Sequence, residues 1–298
     1  MIHIIYLAYG NNADIYCQTF FSMQTFWLYH PDISIHLVTD HPEYFKKFPE
    51  NKPLTIHTVE QETIKEWMWT GSKNFGFRAK QKSIQLMINL YPDTPLMFID
   101  SDTFIYGSMD RLFHLLENGT AILHEYENLL SRPTTKTERH VWKRVGNRTV
   151  EGVSITSGHA MWNSGVVGIP VKRNKELIDT AIQLSDKLSY LVDRNTFMEQ
   201  MSFSILMSDY YTLTDAKDVV AHYWGNKDGW NKAIQDIYLR SYLLQLSFEE
   251  EMSMIRDYDL SSVPYRKRKN NTAARICKRA ERIFPDKDYR YITPDKSH

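Results

Sequence analysis

The chain has few cysteines and no long apolar run among its 298 residues. Two cysteines, Cys17 and Cys277, are too few for a disulfide framework or a thiolate metal site, and this count is typical of a reducing compartment. No apolar segment reaches the roughly 20 residues of a membrane-spanning helix. The first residues also lack the basic and apolar regions of a signal peptide. These features predict a cytoplasmic globular protein.

The chain lacks a net charge, since 36 lysines and arginines balance 36 aspartates and glutamates. The charge is nevertheless unevenly placed. Residues 265–282 hold eight lysines and arginines against one acid, Glu281, so the remainder carries about seven excess acids. A basic tail on a mildly acidic body predicts an anionic partner for the tail and argues against nucleic-acid binding by the whole chain.

Short apolar runs alternate with helical segments along most of the chain. Strands are predicted at residues 2–8, 34–38, 54–59, 96–99, 121–124 and 162–169. Helices are predicted up to about residue 27 and at 78–90, 172–188, 196–207 and 230–246. Such alternation is typical of parallel βαβ units. We therefore expect one α/β domain in residues 1–250 and a C-terminal extension at 251–298.

Two aspartates, Asp100 and Asp102, directly follow the apolar strand at 96–99. Residues two apart in an extended chain point to the same face, so both carboxylates can converge on one cation. Ligands of open α/β sheets bind at the carboxyl ends of the strands. A divalent metal held by carboxylates is the usual arrangement for binding a diphosphate. The alternative is that these acids merely cap a following helix.

Two later segments bear on the same site. Asn163-Ser164-Gly165 places a small polar turn within an apolar strand, where Gly165 and Gly168 permit close approach of a ligand, or form an ordinary bulge. His222 is either a structural residue or a third metal ligand, and Lys227 is able to neutralise a diphosphate leaving group.

In this order, the segments resemble the GT-A-fold nucleotide-sugar glycosyltransferases, in particular the glycogenin-like enzymes and the bacterial lipopolysaccharide galactosyl- and glucosyltransferases. The resemblance covers roughly residues 1–235 and rests on Tyr9-Gly10, Phe77-Arg78-Ala79-Lys80, Asp100-Ser101-Asp102, Asn163-Ser164-Gly165 and residues 222–227. It implies a Rossmann-like, mostly parallel central sheet flanked by helices. In the family pattern His-x-x-Gly-x-x-Lys-Pro-Trp, the lysine stands one residue later than Lys227, and the proline is missing here.

The resemblance also implies roles for individual residues. The metal ligands would be Asp100, Asp102 and His222, with Asp100 also near the ribose. The other contacts implied are those of Tyr9 and Gly10 with the base, Arg78 with the donor phosphates or sugar, Asn163 with the donor sugar, Glu199 and Gln200 with the reacting sugar, and Lys227 with the β-phosphate.

The implied reaction is transfer of a hexose from a nucleotide-diphosphate sugar, UDP-linked in this family, to a glycan or glycolipid acceptor. The metal would be Mn²⁺ or Mg²⁺, and an added imidazole favours Mn²⁺. The resemblance favours retention of the anomeric configuration. Inversion would need a general base, for which Glu125 and Glu199 are candidates.

Three rival functions fit the sequence less well than glycosyl transfer. A haloacid-dehalogenase-like phosphohydrolase would use residues 100–103 as a nucleophile loop, but Phe104 stands where threonine or valine is expected. A sugar-phosphate nucleotidyltransferase would need a glycine-rich, basic phosphate loop, which residues 8–13 do not provide. A non-catalytic glycan-binding protein would not need the intact acid pair.

Two further features have open alternatives. Trp67 and Trp69, followed by Gly71 and Gly76, form either a mobile lid and sugar-stacking surface or part of the core. Apolar residues at helical spacing in 273–284 predict a basic amphipathic helix. That helix either contacts an anionic membrane surface or packs on the domain. Membrane contact would suit a lipid-linked acceptor and a peripheral location at the inner face of the membrane.

Overall fold

The structure is a computed structural model that describes residues 2–70, 74–192, 197–267, 276–277, 279–280 and 282–284. It divides into two compact units, Met1–Tyr265 and Arg266–His298. Among the helices that the structure describes, none is long and apolar enough to cross a membrane.

The first unit contains eleven strands and nine α-helices in its described residues. The strands are β1 His3–Ala8, β2 Ile35–Thr39, β3 Leu54–Thr58, β4 Leu96–Ile99, β5 Thr103–Ile105, β6 Ala121–Leu129, β7 Arg148–Val150, β8 Val153–Ile155, β9 Ala160–Ile169, β10 Leu213–Asp215 and β11 Val220–His222. The helices are α1 Ala13–Tyr29, α2 Gln61–Met68, α3 Phe77–Leu90, α4 Asp110–Glu117, α5 Lys136–Val145, α6 Asn174–Val192, α7 Met198–Tyr210, α8 Lys227–Leu243 and α9 Phe248–Arg256.

Seven strands form one mixed sheet in the order β10-β6-β9-β4-β1-β2-β3. Strands β3, β2, β1 and β4 run parallel to one another, and β10 runs parallel to β6. Only β9 is antiparallel to both of its neighbours, β4 and β6. This mainly parallel sheet flanked by helices is the α/β architecture that the sequence predicts.

Both faces of the sheet are buried. In β1, Ile5 and Leu7 join a core cluster with α3, α6 and α7, whereas Ile4 and Tyr6 join a second cluster with α1, α4 and α9. A strand covered on both faces has a continuous apolar sequence rather than an alternating one. This explains why the apolar runs at β1 and β4 identify central strands.

A separate two-stranded sheet lies beside the carboxyl end of β4. It pairs β5 with β11 in antiparallel fashion, so that His222 is opposite Thr103. The chain leaves β4 at Ile99, passes through the acid pair and enters β5 at Thr103. Strand pairing therefore brings His222 next to the acids, although it is distant from them in the sequence.

Three histidines form a hydrogen-bonded row across β1, β2 and β3. His36 Nε2 lies 2.7 Å from His3 Nδ1, and His36 Nδ1 lies 3.0 Å from His57 Nε2. Burial is the main reason that the pKa of His36 falls from 6.5 to about 4, and the nearby His3 and His57 lower it further. The neutral imidazole is therefore the form that the folded protein stabilises.

We predict that this row makes the fold acid-sensitive. Because the pKa of His36 is lower in the folded than in the unfolded chain, its stabilising effect is complete above about pH 6.5 and is lost as the pH falls toward 4. Its contribution to the free energy of unfolding should fall by roughly 1–2 kcal/mol between pH 7 and pH 5. Urea denaturation of wild type and His36→Gln at both pH values measures this.

The exposed His114 provides the matched control. His114→Gln should keep the pH dependence of the wild type, whereas His36→Gln should show a weaker one. Equal slopes for wild type and His36→Gln would contradict the prediction.

Candidate active site

The acid pair lies at the carboxyl end of β4, where neighbouring backbones fix it on both sides. Asp100 N donates to Gly165 O of β9 at 2.9 Å, and Tyr223 N, just after β11, donates to Asp102 O at 3.0 Å. Ligand atoms of Asp100, Asp102 and His222 all lie within 4.8 Å of one another. The structure thus brings together the three residues predicted as metal ligands.

The imidazole of His222 is oriented by Asn163. Asn163 Oδ1 accepts from Gly165 N at 2.9 Å and lies 2.8 Å from His222 Nδ1. Because a backbone N–H only donates, the atom facing it must be the carbonyl oxygen, so His222 Nδ1 must carry a proton. His222 Nε2 is then directed at the acids, 3.3 Å from Asp102 Oδ1 and 3.9 Å from Asp100 Oδ2. Nε2 is therefore the atom through which His222 can bind a cation held by the two acids.

Gly165 is required by the position of His222. A Cβ atom at residue 165 would lie 2.2 Å from His222 Nδ1 and 2.7 Å from Cε1, which is far inside van der Waals contact. The glycine in the predicted polar turn therefore permits close approach of a side chain that forms part of the site. The bulge alternative also applies here, because the β6–β9 register shifts between the pairs Leu123–Val167 and Glu125–Asn163, on either side of Gly165.

Two lysines contact the acid pair from different elements. Lys227, the first residue of α8, places its Nζ 2.8 Å from Asp102 Oδ2. Lys80 of α3 lies 3.1 Å from Asp100 Oδ1 and 3.2 Å from Glu199 Oε1. Burial alone would raise the pKa of Asp102, but the opposing His222 and Lys227 hold it well below its usual range. Lys227 reaches the site even though it stands one residue earlier than in the family pattern.

The predicted pair Glu199 and Gln200 begins α7, and its two members face different surroundings. Glu199 is buried, accepts a hydrogen bond from Ser164 Oγ at 3.2 Å and is ion-paired with Lys80. Burial raises the pKa of Glu199 against the lowering effect of Lys80. Gln200 instead donates to Glu127 Oε2 at 3.1 Å, and Asn163 Nδ2 lies 3.4 Å from Glu127 Oε1.

Three other predicted residues have contacts outside the acid cluster. Arg78 binds Asp186 through Nε at 2.9 Å and Trp67 O through Nη1 at 2.9 Å. Tyr9 donates to Gly76 O at 3.2 Å, and Gly10, with φ of +86°, donates to Asp40 at 3.1–3.2 Å. Tyr9 and Gly10 directly follow β1, which is parallel to the neighbouring β4, so they lie at the same carboxyl edge of the sheet. The roles of all three toward a donor stay predictions.

Several residues near the site were not assigned by sequence. Lys80 belongs to the family-like segment at residues 77–80, but the sequence analysis predicts no role for it. Glu127 lies in no recognisable sequence motif. Asp40 follows β2 as Asp100 follows β4, which is the signal that could have found it. His124 of β6 is buried, hydrogen-bonds Val220 O of β11 at 2.9 Å through Nε2 and packs edge-on against His222. Glu125, a candidate base, lies opposite Asn163 in the β6–β9 register.

The two tryptophans of the suggested lid differ in burial. Trp67 packs against the core, whereas the side chain of Trp69 is 53% exposed. Gly71 lies outside the described residues, and Gly76 directly precedes α3. The structure thus supports core packing for Trp67 and leaves Trp69 at the surface.

Comparison with known proteins gives distant structural likenesses. No family model matches the chain, and no curated protein matches it. Similar solved structures include the galactosyltransferase LgtC in complex with donor and acceptor sugar analogues, at 14% identity, covering 71% of this chain and 73% of that one, with a TM-score of 0.47. An active-site mutant of LgtC is 13% identical, with 71% of this chain and 72% of that one covered and a TM-score of 0.48. Mouse xyloside xylosyltransferase 1 in its apo form is 14% identical, with 72% of this chain and 85% of that one covered and a TM-score of 0.46.

All three of these similar structures are glycosyltransferases.

We predict that Gly165→Ala disrupts the metal site. The added methyl group must displace His222, and residues that orient a metal ligand typically contribute 10- to 100-fold in metal affinity. Titration of Mn²⁺ monitored by calorimetry, in the presence of a nucleoside diphosphate, should show a loss of this order. Gly158→Ala is the matched control, because a Cβ there would contact only Thr156 Oγ1 at 3.7 Å. Unchanged affinity in Gly165→Ala would contradict the assignment.

Proposed function

We propose that the protein is a metal-dependent glycosyltransferase that moves a hexose from a UDP-linked sugar to a glycan or glycolipid acceptor. The observation that supports this most directly is the convergence of Asp100, Asp102 and His222 beside Lys227 at the carboxyl end of β4. The proposal includes Mn²⁺ as the preferred metal and retention of the anomeric configuration.

The donor atoms fit a divalent cation. Two carboxylates and one imidazole are a mixed oxygen and nitrogen set that suits Mn²⁺. The hydrogen bond of Nδ1 to Asn163 leaves His222 Nε2 directed at the acids, which is the orientation that a metal ligand needs. Three protein ligands leave coordination positions for phosphate oxygens. The side chain of Asp100 is 26% exposed, so the site is accessible from solvent on that side.

The neighbouring cationic groups fit a diphosphate. Lys227 is the first residue of α8, and helix N-termini attract anions through their free backbone N–H groups and the helix dipole. Asn226, the N-cap residue, makes no side-chain hydrogen bond to the helix and instead donates to Pro264 O. A phosphate placed between the metal ligands and this helix end would therefore meet a lysine and the positive end of the helix dipole together.

The mechanism follows from where negative charge develops. Transfer breaks the bond between the anomeric carbon and the β-phosphate oxygen and forms one between that carbon and the acceptor hydroxyl oxygen. The departing diphosphate gains negative charge and can accept the proton that the hydroxyl loses. A bound divalent cation would supply charge neutralisation at that diphosphate. Lys227 would hold the β-phosphate as it leaves, and contacts that strengthen in the transition state are the ones that accelerate the step. Asn163 and Gln200, bridged by Glu127, would line the side of the site that receives the sugar.

Glu199 fits a positioning role better than that of a general base. Its carboxylate is buried and held by Lys80 and Ser164, so an acceptor hydroxyl has little access to it. A general base must lie within hydrogen-bonding reach of the proton that it removes. This burial supports retention over an inverting mechanism that uses Glu199.

The phosphohydrolase alternative is less consistent with the charges at the site. It requires one aspartate as a free nucleophile, whereas Asp100 is ion-paired with Lys80 and Asp102 with Lys227.

We expect Asp102→Asn to reduce metal-dependent transfer by at least 100-fold. One electrostatic contact to the developing charge is typically worth about 3–4 kcal/mol, and the amide also weakens the metal site. A panel of nucleotide sugars, screened first by Mn²⁺-dependent thermal shift, identifies the donor for the activity assay. Chelation with EDTA should abolish turnover and added Mn²⁺ should restore it.

The control for this variant is Asp236→Asn, which removes an exposed carboxylate that pairs with Arg240 of the same helix. It should keep wild-type turnover. Full metal-dependent turnover by Asp102→Asn would eliminate the proposed function.

We further propose that the C-terminal unit binds an anionic membrane surface and that the acceptor is lipid-linked. In the described part of this unit, Ile276, Ile283 and Phe284 are 63–79% exposed, and Phe284 N donates to Ala280 O in a helical hydrogen bond. Exposed apolar side chains beside a run of basic residues are typical of interfacial helices. Residues 273–275, 278 and 281 of the predicted tail helix lie outside the described residues.

Liposome flotation tests this membrane proposal. Full-length protein should float with vesicles that contain phosphatidylglycerol, and a chain ending at residue 265 should not. Neutral phosphatidylcholine vesicles should bind much less. Equal flotation of the two chains would remove the proposal.

A further inference from the structure

The ion pair between Lys227 and Asp102 involves two groups with very different freedom to move. Lys227 Nζ lies 2.8 Å from Asp102 Oδ2, and the lysine side chain is 51% exposed, whereas that of Asp102 is 7% exposed. The backbone of Asp102 is held by Tyr223 N, which donates to its carbonyl oxygen, and its carboxylate lies beside His222 Nε2. The ammonium can therefore leave the pair into solvent, but the carboxylate cannot.

A divalent cation on the acid pair would compete with this ammonium. Both are attracted to the same carboxylate, and two cations held within a few ångströms of each other repel strongly at a partly buried site. Breaking the ion pair also removes the partner of a buried charge unless the new cation replaces it. Cation binding therefore opposes the contact that Lys227 makes with Asp102.

A diphosphate offers the displaced ammonium a new partner without a large movement. Lys227 begins α8, at the helix end where the N-cap side chain does not occupy the backbone donors. A phosphate bound there would accept from Lys227 and share its other oxygens with the metal. The same lysine would then oppose the cation in the absence of the diphosphate and support the ternary complex in its presence.

We infer that Lys227 is an exchangeable counter-ion of Asp102 that makes binding of the divalent cation depend on the nucleoside diphosphate. This inference rests on the proposed function, since it requires that the two ligands share this site. It predicts positive coupling between them, and linkage makes that coupling equal in both directions. Lys80 does not share this behaviour, because it is buried between Asp100 and Glu199.

The experiment is calorimetric titration of Mn²⁺ into the full-length protein, alone, with UDP and with UMP. Wild type should bind Mn²⁺ weakly alone and at least tenfold more tightly with UDP, while UMP, which lacks the β-phosphate, should give little enhancement. Lys227→Met should bind Mn²⁺ alone several-fold more tightly than wild type and should lose most of the enhancement by UDP. Lys227→Arg, which keeps the charge, should behave more like wild type.

Controls separate this inference from the proposed function. Lys232→Met removes an exposed lysine of the same helix and should reproduce wild-type binding. If Lys227→Met binds Mn²⁺ alone no more tightly than wild type, or keeps the full enhancement by UDP, the counter-ion role is wrong while the metal-diphosphate site stands. If wild type binds no Mn²⁺ even with UDP, both the site and the inference are wrong. Circular dichroism of each variant reports whether it folds.

Discussion

Strand β9 is the element on which the site depends, because three consecutive residues of this strand each fix a different part of it. Gly165 accepts from Asp100 N, Asn163 orients His222, and Ser164 contacts both Lys80 and Glu199. The strand is also the antiparallel member of the sheet, inserted between β4 and β6. Because β9 runs antiparallel, it places these side chains at the carboxyl edge of β4. A parallel strand would place them at a different level along the strand axis.

The charges of the site are paired in a way that limits the cost of burying them. Lys80 lies between Asp100 and Glu199, and Lys227 contacts Asp102, so each carboxylate has a cationic neighbour within about 3.2 Å. Burying an unpaired charge costs several kcal/mol, whereas a paired one costs much less. The cluster also holds one more acid than lysine. This composition favours a divalent cation without requiring it for folding.

Much of the fold was predictable because its central strands are buried on both faces. The apolar runs at β1, β2 and β4 and the acids after β4 follow directly from that burial. The helix expected at 230–246 begins earlier, at Lys227, because Asn226 ends a tight turn after β11. The three-residue strands β5 and β11 carry too short a pattern to detect, and their pairing is what places His222.

The side-chain contacts within the site were less predictable than its location. Asn163 was expected at the donor sugar, and the structure additionally gives it His222 as a partner. Arg78 and Lys80 lie two residues apart on α3, yet Lys80 reaches the acids and Arg78 binds Asp186. The rotation of a helix about its axis decides which of its cationic side chains faces the site. Tertiary packing of α3 against β1 and β4 sets that rotation, so the local sequence does not predict it. Asp40 and Glu127 become site neighbours only through the arrangement of β2 and β6.

The two segments proposed to ligate a metal belong to different sheets. Asp100 directly follows β4 of the seven-stranded sheet, whereas His222 lies in the two-stranded sheet of β5 and β11. A cation shared by them would act as a reversible cross-link that closes the long stretch of chain between residues 102 and 222. Binding of the cation would then restrict local opening of the two-stranded sheet more than that of the seven-stranded sheet. A bound cation would therefore slow backbone amide exchange in β5 and β11 without a change in overall shape.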